Sequence, residues 1–190
     1  MLVTIDTNLL IWGVRGISSV GQEEMILRAK ALIDWLDNRN DRLVLTSVCV
    51  GEYLIGNDPE KRKQELSALQ EKHMIYPYDA NAAVIAAELR SDDDFLRSLK
   101  TDADKTRVAI KADIEIVATA KAFQIERIYS NDAILRKIAA RCGLSAQDVP
   151  SLAEFASWLS ATVSPALEPV ERYRTRLLFD DDESDEVDVS

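Results

Sequence analysis

Four carboxylates interrupt stretches that are otherwise apolar or small. Asp6 ends "LVTID", Glu52 lies in "TSVCVGEYLIG", Asp113 in "KADIEIVATAKAF", and Asp132 follows "RIYSN". Each also has an ordinary use. Asp6 and Asp132 are of a type that caps helices or makes Asx turns, and Glu52 could be a solvated helix residue. Asp113 is harder to explain that way, because an unpaired carboxylate between Ala112 and Ile114 of an apolar helix is costly. Two like charges at 4 Å repel by about 1 kcal/mol in water and about 4 kcal/mol at an effective dielectric of 20. If the four converge, they need a cation. Oxygen donors without His or Cys point to Mg2+ or Mn2+ rather than zinc. Such an ion lowers the pKa of a bound water and stabilises charge on a phosphoryl group, so phosphodiester hydrolysis is the chemistry this set serves best.

The elements that must position the acids follow from patterning. Strand-like runs occur at 2–5, 43–46, 74–78 and 127–130, with a short fifth expected at 148–150. Helical spacing fills "EEMILRAKALIDWLDNR", "DANAAVIAAELRSDDDFLRSL", "TRVAIKADIEIVATAKAF", "NDAILRKIAARCG" and "SLAEFASWL". In "SVCVGEYLIG" Ser47 is the expected N-cap and Gly56 the stop. Residues 13–22 read as a surface loop. Strands alternating with helices predict a parallel α/β sheet covered on both faces. Asp6, Ser130 and Asp132 then fall at the carboxyl ends of strands, where such sheets build sites. Glu52 stays near the same edge. The helix carrying Asp113 feeds the fourth strand, so its N-terminal half, with Asp113, lies at that edge too.

Composition narrows the function classes. Residues 180–190 hold seven acids and no base, so of the formal net charge of -10 only -3 belongs to the rest. That excludes a chain-wide basic surface but not a nucleic-acid substrate. No apolar run approaches the roughly 20 residues that span a bilayer, and no signal peptide is expected at the N-terminus. Cys49 and Cys142 have no metal-binding neighbours and read as buried thiols of a reducing cytoplasm.

The four quoted motifs, in this order and spacing, resemble those of PIN-domain nucleases, and VapC-type toxins above all. "YPYDANAAVIAAELR" is similar to the spacer such proteins carry between the second and third motifs. The resemblance covers about residues 2–160. It implies a three-layer α/β/α sandwich around a parallel sheet of four to five strands, and cleavage of RNA dependent on a divalent metal. It also implies frequent homodimers and, for a toxin, silencing by a small antitoxin protein. Carried over motif by motif, Asp6, Glu52, Asp113 and Asp132 become the metal-site acids, with Asn8 and Ser130 in support. The expected organisation is a PIN-like domain over 1–163, an arm or short helix over 164–179, and a disordered acidic tail over 180–190. The arm and tail depart from the usual toxin ending. A PIN-like scaffold that binds RNA or protein without cutting is the competing reading. A haloacid dehalogenase-like site would want an acid where Asn8 stands, and a receiver domain would want an acidic pair at the first strand.

Other residues read as structural. Asp92, Asp93 and Asp94 are consecutive, so their side chains diverge into a solvated patch. Asp79 is an expected helix cap, His73 a surface residue near a strand start, and Trp12, Trp35 and Trp158 core or interface residues. "RYRTR" at 172–176 fits a helix with solvated arginines better than an RNA grip.

Overall fold

Five short strands form one all-parallel sheet in the order β3-β2-β1-β4-β5. The strands are β1 Leu2–Ile5, β2 Arg42–Thr46, β3 Met74–Tyr76, β4 Arg127–Tyr129 and β5 Ser145–Gln147. This computed structural model describes residues 1–100 and 107–162. The chain divides after Pro150 into two units. In the first, β1 occupies the centre, with Val3 in register with Leu43 on one side and Arg127 on the other. The helices are α1 Thr7–Leu10, α2 Glu23–Asn38, α3 Ser47–Tyr53, α4 Pro59–Lys72, α5 Ala80–Ser91, α6 Asp93–Lys100, α7 Arg107–Ala122 and α8 Ala133–Arg141. In the second unit the described helix is α9 Leu152–Thr162. The expected arm and acidic tail, with "RYRTR", lie outside the described residues.

Strand alternation sorts the core into two layers. Leu2, Val44, Ile128 and Ala146 pack with side chains of α5, α7 and α8, among them Ala86, Ile114, Val117, Leu135 and Ile138. Val3, Ile5, Leu43, Leu45 and Tyr129 point the other way and are buried. On that side α1 and α2 pack together and α2 packs on β2. The α/β sandwich of the sequence reading is therefore present.

Several local expectations shift. The fifth strand lies three residues earlier than 148–150. Gly143, at a φ of +64°, turns the chain directly toward the sheet. The Asp148 carboxylate accepts from the Val149 N–H at 2.7 Å, and Pro150 has no N–H to continue the ladder. The expected helix over 79–99 breaks at Asp92, whose carboxylate accepts from the Phe95 N–H at 3.0 Å and pairs with Arg141 at 2.8 Å. Asp92 is thus engaged rather than a solvated member of a triplet, while Asp93 and Asp94 are exposed. Thr46 caps α3 in place of Ser47, its hydroxyl accepting from the Cys49 N–H at 3.3 Å. Ser47 instead accepts from the Tyr78 N–H at 3.0 Å. Residues Ile11–Arg15, partly assigned to a loop, form a π-helical turn ended by Gly16. Asp79 caps α5 as expected, at 2.9 Å from the Ala82 N–H. Helix α4 has no counterpart in the sequence reading.

Candidate active site

Asp6 follows the last residue of β1, and both of its oxygens are engaged. One accepts from the Leu9 N–H at 2.8 Å, capping α1. The other accepts from the Ser130 hydroxyl, across 124 residues of sequence. Asp6 is 4% exposed and Ser130 fully buried. The Asp6 N–H donates to the Tyr129 carbonyl at 3.2 Å, so backbone and side chain both tie the ends of β1 and β4. The sheet runs outward from β1 in two directions, first through β2 and β3, then through β4 and β5. Asp6 and Ser130 therefore sit at the switch point, the crevice where open α/β sheets bind ligands.

The other acids lie on or at the start of three helices. Glu52, half-buried in α3, accepts from the Thr7 hydroxyl at 2.5 Å. Asp113 is 8% exposed in the N-terminal half of α7, and α7 packs against both α3 and β2. Asp132 caps α8, accepting from the Ile134 N–H at 2.8 Å and the Leu135 N–H at 3.4 Å. Its own N–H donates to the Ser130 hydroxyl at 2.9 Å. That hydroxyl thus bridges Asp6 and the Asp132 loop. Asn8 stands exposed on the first turn of α1, and no hydrogen bond among the described residues joins it to the acids.

Cys49 lies beneath this edge, with no exposed surface and its thiol 3.5 Å from the Ile5 carbonyl. Burial pushes its pKa up to about 12, and the nearby charges of Asp6 and Glu52 add to the rise. It is a neutral thiol at ordinary pH, a filler rather than a nucleophile.

Two contacts here were not found from sequence. The bond of Thr7 to Glu52 spans 45 positions that no local spacing links. Arg136 donates to the Ser130 carbonyl at 2.6 Å and pairs with Asp148 at 3.4 Å. It pins the loop after β4. Its spacing of four from Asp132 was the one signal available.

Whether these residues suit a divalent ion can be judged from the donor set. Every candidate donor is a carboxylate or hydroxyl oxygen, which suits Mg2+ or Mn2+. Among the described residues no group of three or more His, Cys, Asp or Glu is placed to hold a metal ion. The ready-made cluster of four acids expected from the sequence is therefore not preassembled: Glu52 and Asp132 are drawn to Thr7 and to the α8 N-terminus. Magnesium does not need such a cage. It keeps several waters and takes one or two carboxylates plus substrate phosphates. The oxygen donors fit that mode.

Neither a family profile nor a curated relative matches the sequence. Solved structures do match in fold. The Salmonella typhimurium VapBC bound to DNA is 16% identical, with a TM-score of 0.54, over 79% of this chain and 100% of that one. VapBC2 from Rickettsia felis, bound to a DNA fragment from their promoter, gives 16% identity and a TM-score of 0.52 over 78% and 98%. VapBC-1 from nontypeable Haemophilus influenzae gives the same four values. The fold is PIN-like. At this identity the likeness is one of fold. Among the described residues no helix is long and apolar enough to cross a membrane.

Proposed function

We propose that this chain is a divalent-metal-dependent endoribonuclease of the cytoplasm, the toxin of a toxin–antitoxin pair. What supports the reading is the Asp6–Ser130 pair at the β1/β4 switch point, with the Thr7–Glu52 bond and the Asp132 N–H on Ser130 next to it. Asp113, buried in the N-terminal half of α7, is taken as the remaining acid. Asp6 and Asp113, both buried, hold the ion, which when bound supplies an activated water and charge stabilisation on the phosphate. Glu52 and Asp132 complete or orient the site, Ser130 fixes Asp6, and Asn8, exposed at the edge, meets substrate. An acidic, partly buried edge of this kind is open to silencing by a small antitoxin that brings a basic residue into it. VapBC structures among the fold neighbours support that partner. A homodimer accords with the same reading.

A second reading has one observation in its favour. Because no metal-sized cluster is preassembled among the described residues, the edge could bind RNA or protein without cutting. The two readings separate in one experiment: incubation of a mixed RNA pool with pure protein, in Mg2+, Mn2+ or chelator, beside Asp6→Asn and Asp113→Asn. Cleavage that needs metal and is lost in both variants supports the nuclease. Well-folded wild type that takes up metal but cuts nothing supports the scaffold. Cleavage that survives both substitutions overturns the assigned site.

A further inference from the structure

Glu52 is carried in an awkward place. Helix α3 spans only seven residues, Ser47–Tyr53, and Glu52 is its penultimate one. A helix that short is marginal by itself, and its last turn is where it frays. The Thr7 hydroxyl holds the carboxylate itself, but the backbone beneath it needs a further anchor.

That anchor is built around the next residue. Tyr53 is 2% exposed, and the Arg15 guanidinium lies 4.0 Å from its ring centroid. Arg15 also donates to Glu65 of α4 at 2.6 Å, and Glu65 accepts from Asn57, between α3 and α4, at 2.7 Å. Both side chains of the ion pair are about four-fifths buried, with Arg15 17% and Glu65 20% exposed. Burial works against the charge on Arg15, yet the bonds to Glu65 and Tyr53 hold its pKa above the ordinary arginine value. Burial likewise works to raise the Glu65 pKa, and the bonds from Arg15 and Asn57 keep it below the ordinary carboxylate value. Arg15 ends the π-helical turn Ile11–Arg15. The wider i→i+5 turn changes the helical phase and so the direction in which Arg15 points, and π-turns recur at functional sites. Gly13 lies against α2, where an added Cβ would come within 2.6 Å of the tip of the Ile33 side chain.

We infer that Arg15 is a positioning residue for Glu52: by covering Tyr53 and tying it to Glu65, it fixes the end of α3 that presents the Glu52 carboxylate beside Asp6. The inference rests on the nuclease reading for what Glu52 does, and deepens it. Segment Thr7–Arg15 then fastens α3 at two points, Thr7 on the carboxylate and Arg15 on the backbone's next side chain. A purely structural ion pair would stabilise the fold without affecting the site.

The test uses the full-length protein and Mn2+ as the probe, with affinity read by titration calorimetry and by the electron paramagnetic resonance of free Mn2+. Lysine can keep the charge pair with Glu65 but cannot also lie flat on Tyr53. Arg15→Lys is therefore expected to raise the Mn2+ Kd about tenfold, the size typical of lost outer-shell support. Tyr53→Leu should match it, and the Arg15→Lys/Tyr53→Leu double variant should be no weaker than either alone. Tyr53→Phe, which keeps the ring under Arg15 but loses its hydroxyl bond, should fall between wild type and Arg15→Lys. Amide exchange gives a readout without metal. The Leu54 and Ile55 N–H groups, bonded to the Val50 and Glu52 carbonyls at 3.0 and 3.1 Å, should exchange faster in Arg15→Lys while those of β1 stay protected. Wild-type Mn2+ affinity in Arg15→Lys overturns the inference and leaves the nuclease reading standing. Wild type that takes up no Mn2+ and cuts no RNA overturns that reading and the inference with it, whatever the exchange pattern.

Discussion

Removing the Ser130 hydroxyl tests the centre of the site directly. It is fully buried, donates to the Asp6 carboxylate and accepts from the Asp132 N–H at 2.9 Å. A hydrogen bond to a charged group contributes about 1.5–3 kcal/mol and a neutral one about 0.5–1.5 kcal/mol. Ser130→Ala should therefore cost about 2–4 kcal/mol, allowing for partial relaxation. For a body of this size that is a fall in Tm of roughly 4–16 °C. Urea unfolding followed by tryptophan fluorescence reads the first quantity and calorimetry the second. Asn8→Ala, at an exposed position two residues past Asp6, is the control and should stay within about 0.5 kcal/mol of wild type. A loss below about 0.5 kcal/mol in Ser130→Ala, with an unchanged denaturant slope, would refute the bridge between β1 and β4.

Asp132→Ala should lose about 1 kcal/mol through the α8 cap, whereas Asp132→Asn should keep the melting temperature and lose metal-dependent cleavage; cleavage intact in the Asn variant would reduce Asp132 to a cap. Burial raises the pKa of both thiols, to about 12 for Cys49. At pH 8 a disulfide-exchange reagent should label Cys142 more slowly than free cysteine, and Cys49 only on unfolding; rapid labelling of two thiols in native protein would contradict the packing. Burial likewise holds the His73 pKa below its ordinary 6.5. Because the unfolded chain takes up that proton more readily, the contribution of neutral His73 is fully present above about pH 6.5, the unfolded value, and is lost as the pH falls from there through the lower folded-state value. His73→Gln should flatten the decline in Tm between neutral and mildly acidic pH, and an unchanged profile would discount it.

Four of the five strands were legible from apolar runs to within two residues, because buried parallel strands are nearly continuous in hydrophobicity. What the pattern did not convey was decided by side-chain bonds. Asp92 breaks an apparently continuous helix by capping a new one and meeting Arg141. Thr46 outcompetes Ser47 as a cap because Ser47 is engaged by the Tyr78 N–H. Helix α4 escaped notice because Leu69 is its one buried residue, leaving little periodicity to see; the "DP" at its start, with Asp58 capping, was the available sign. At the site, topology alone put Asp6 and Ser130 at the carboxyl ends of neighbouring strands, where they meet. The bonds themselves were not legible, since Thr7 with Glu52 and Ser130 with Asp6 are partners remote in sequence. The π-turn at Ile11–Arg15 has no sequence pattern of its own.

The central position of β1 also governs when the acidic edge can exist. Its neighbours in space are β2, which begins at Arg42, and β4, which begins at Arg127. In a growing chain the residues of β1, β2 and β3 are all made long before those of β4. In that interval one edge of the first strand is bare, a template for wrong pairing, and Asp6 lacks Ser130. Docking of β4 closes the edge and the site in one step. The centre of this edge is thus a product of long-range closure: Asp6 meets Ser130 only when residues 124 positions apart come together.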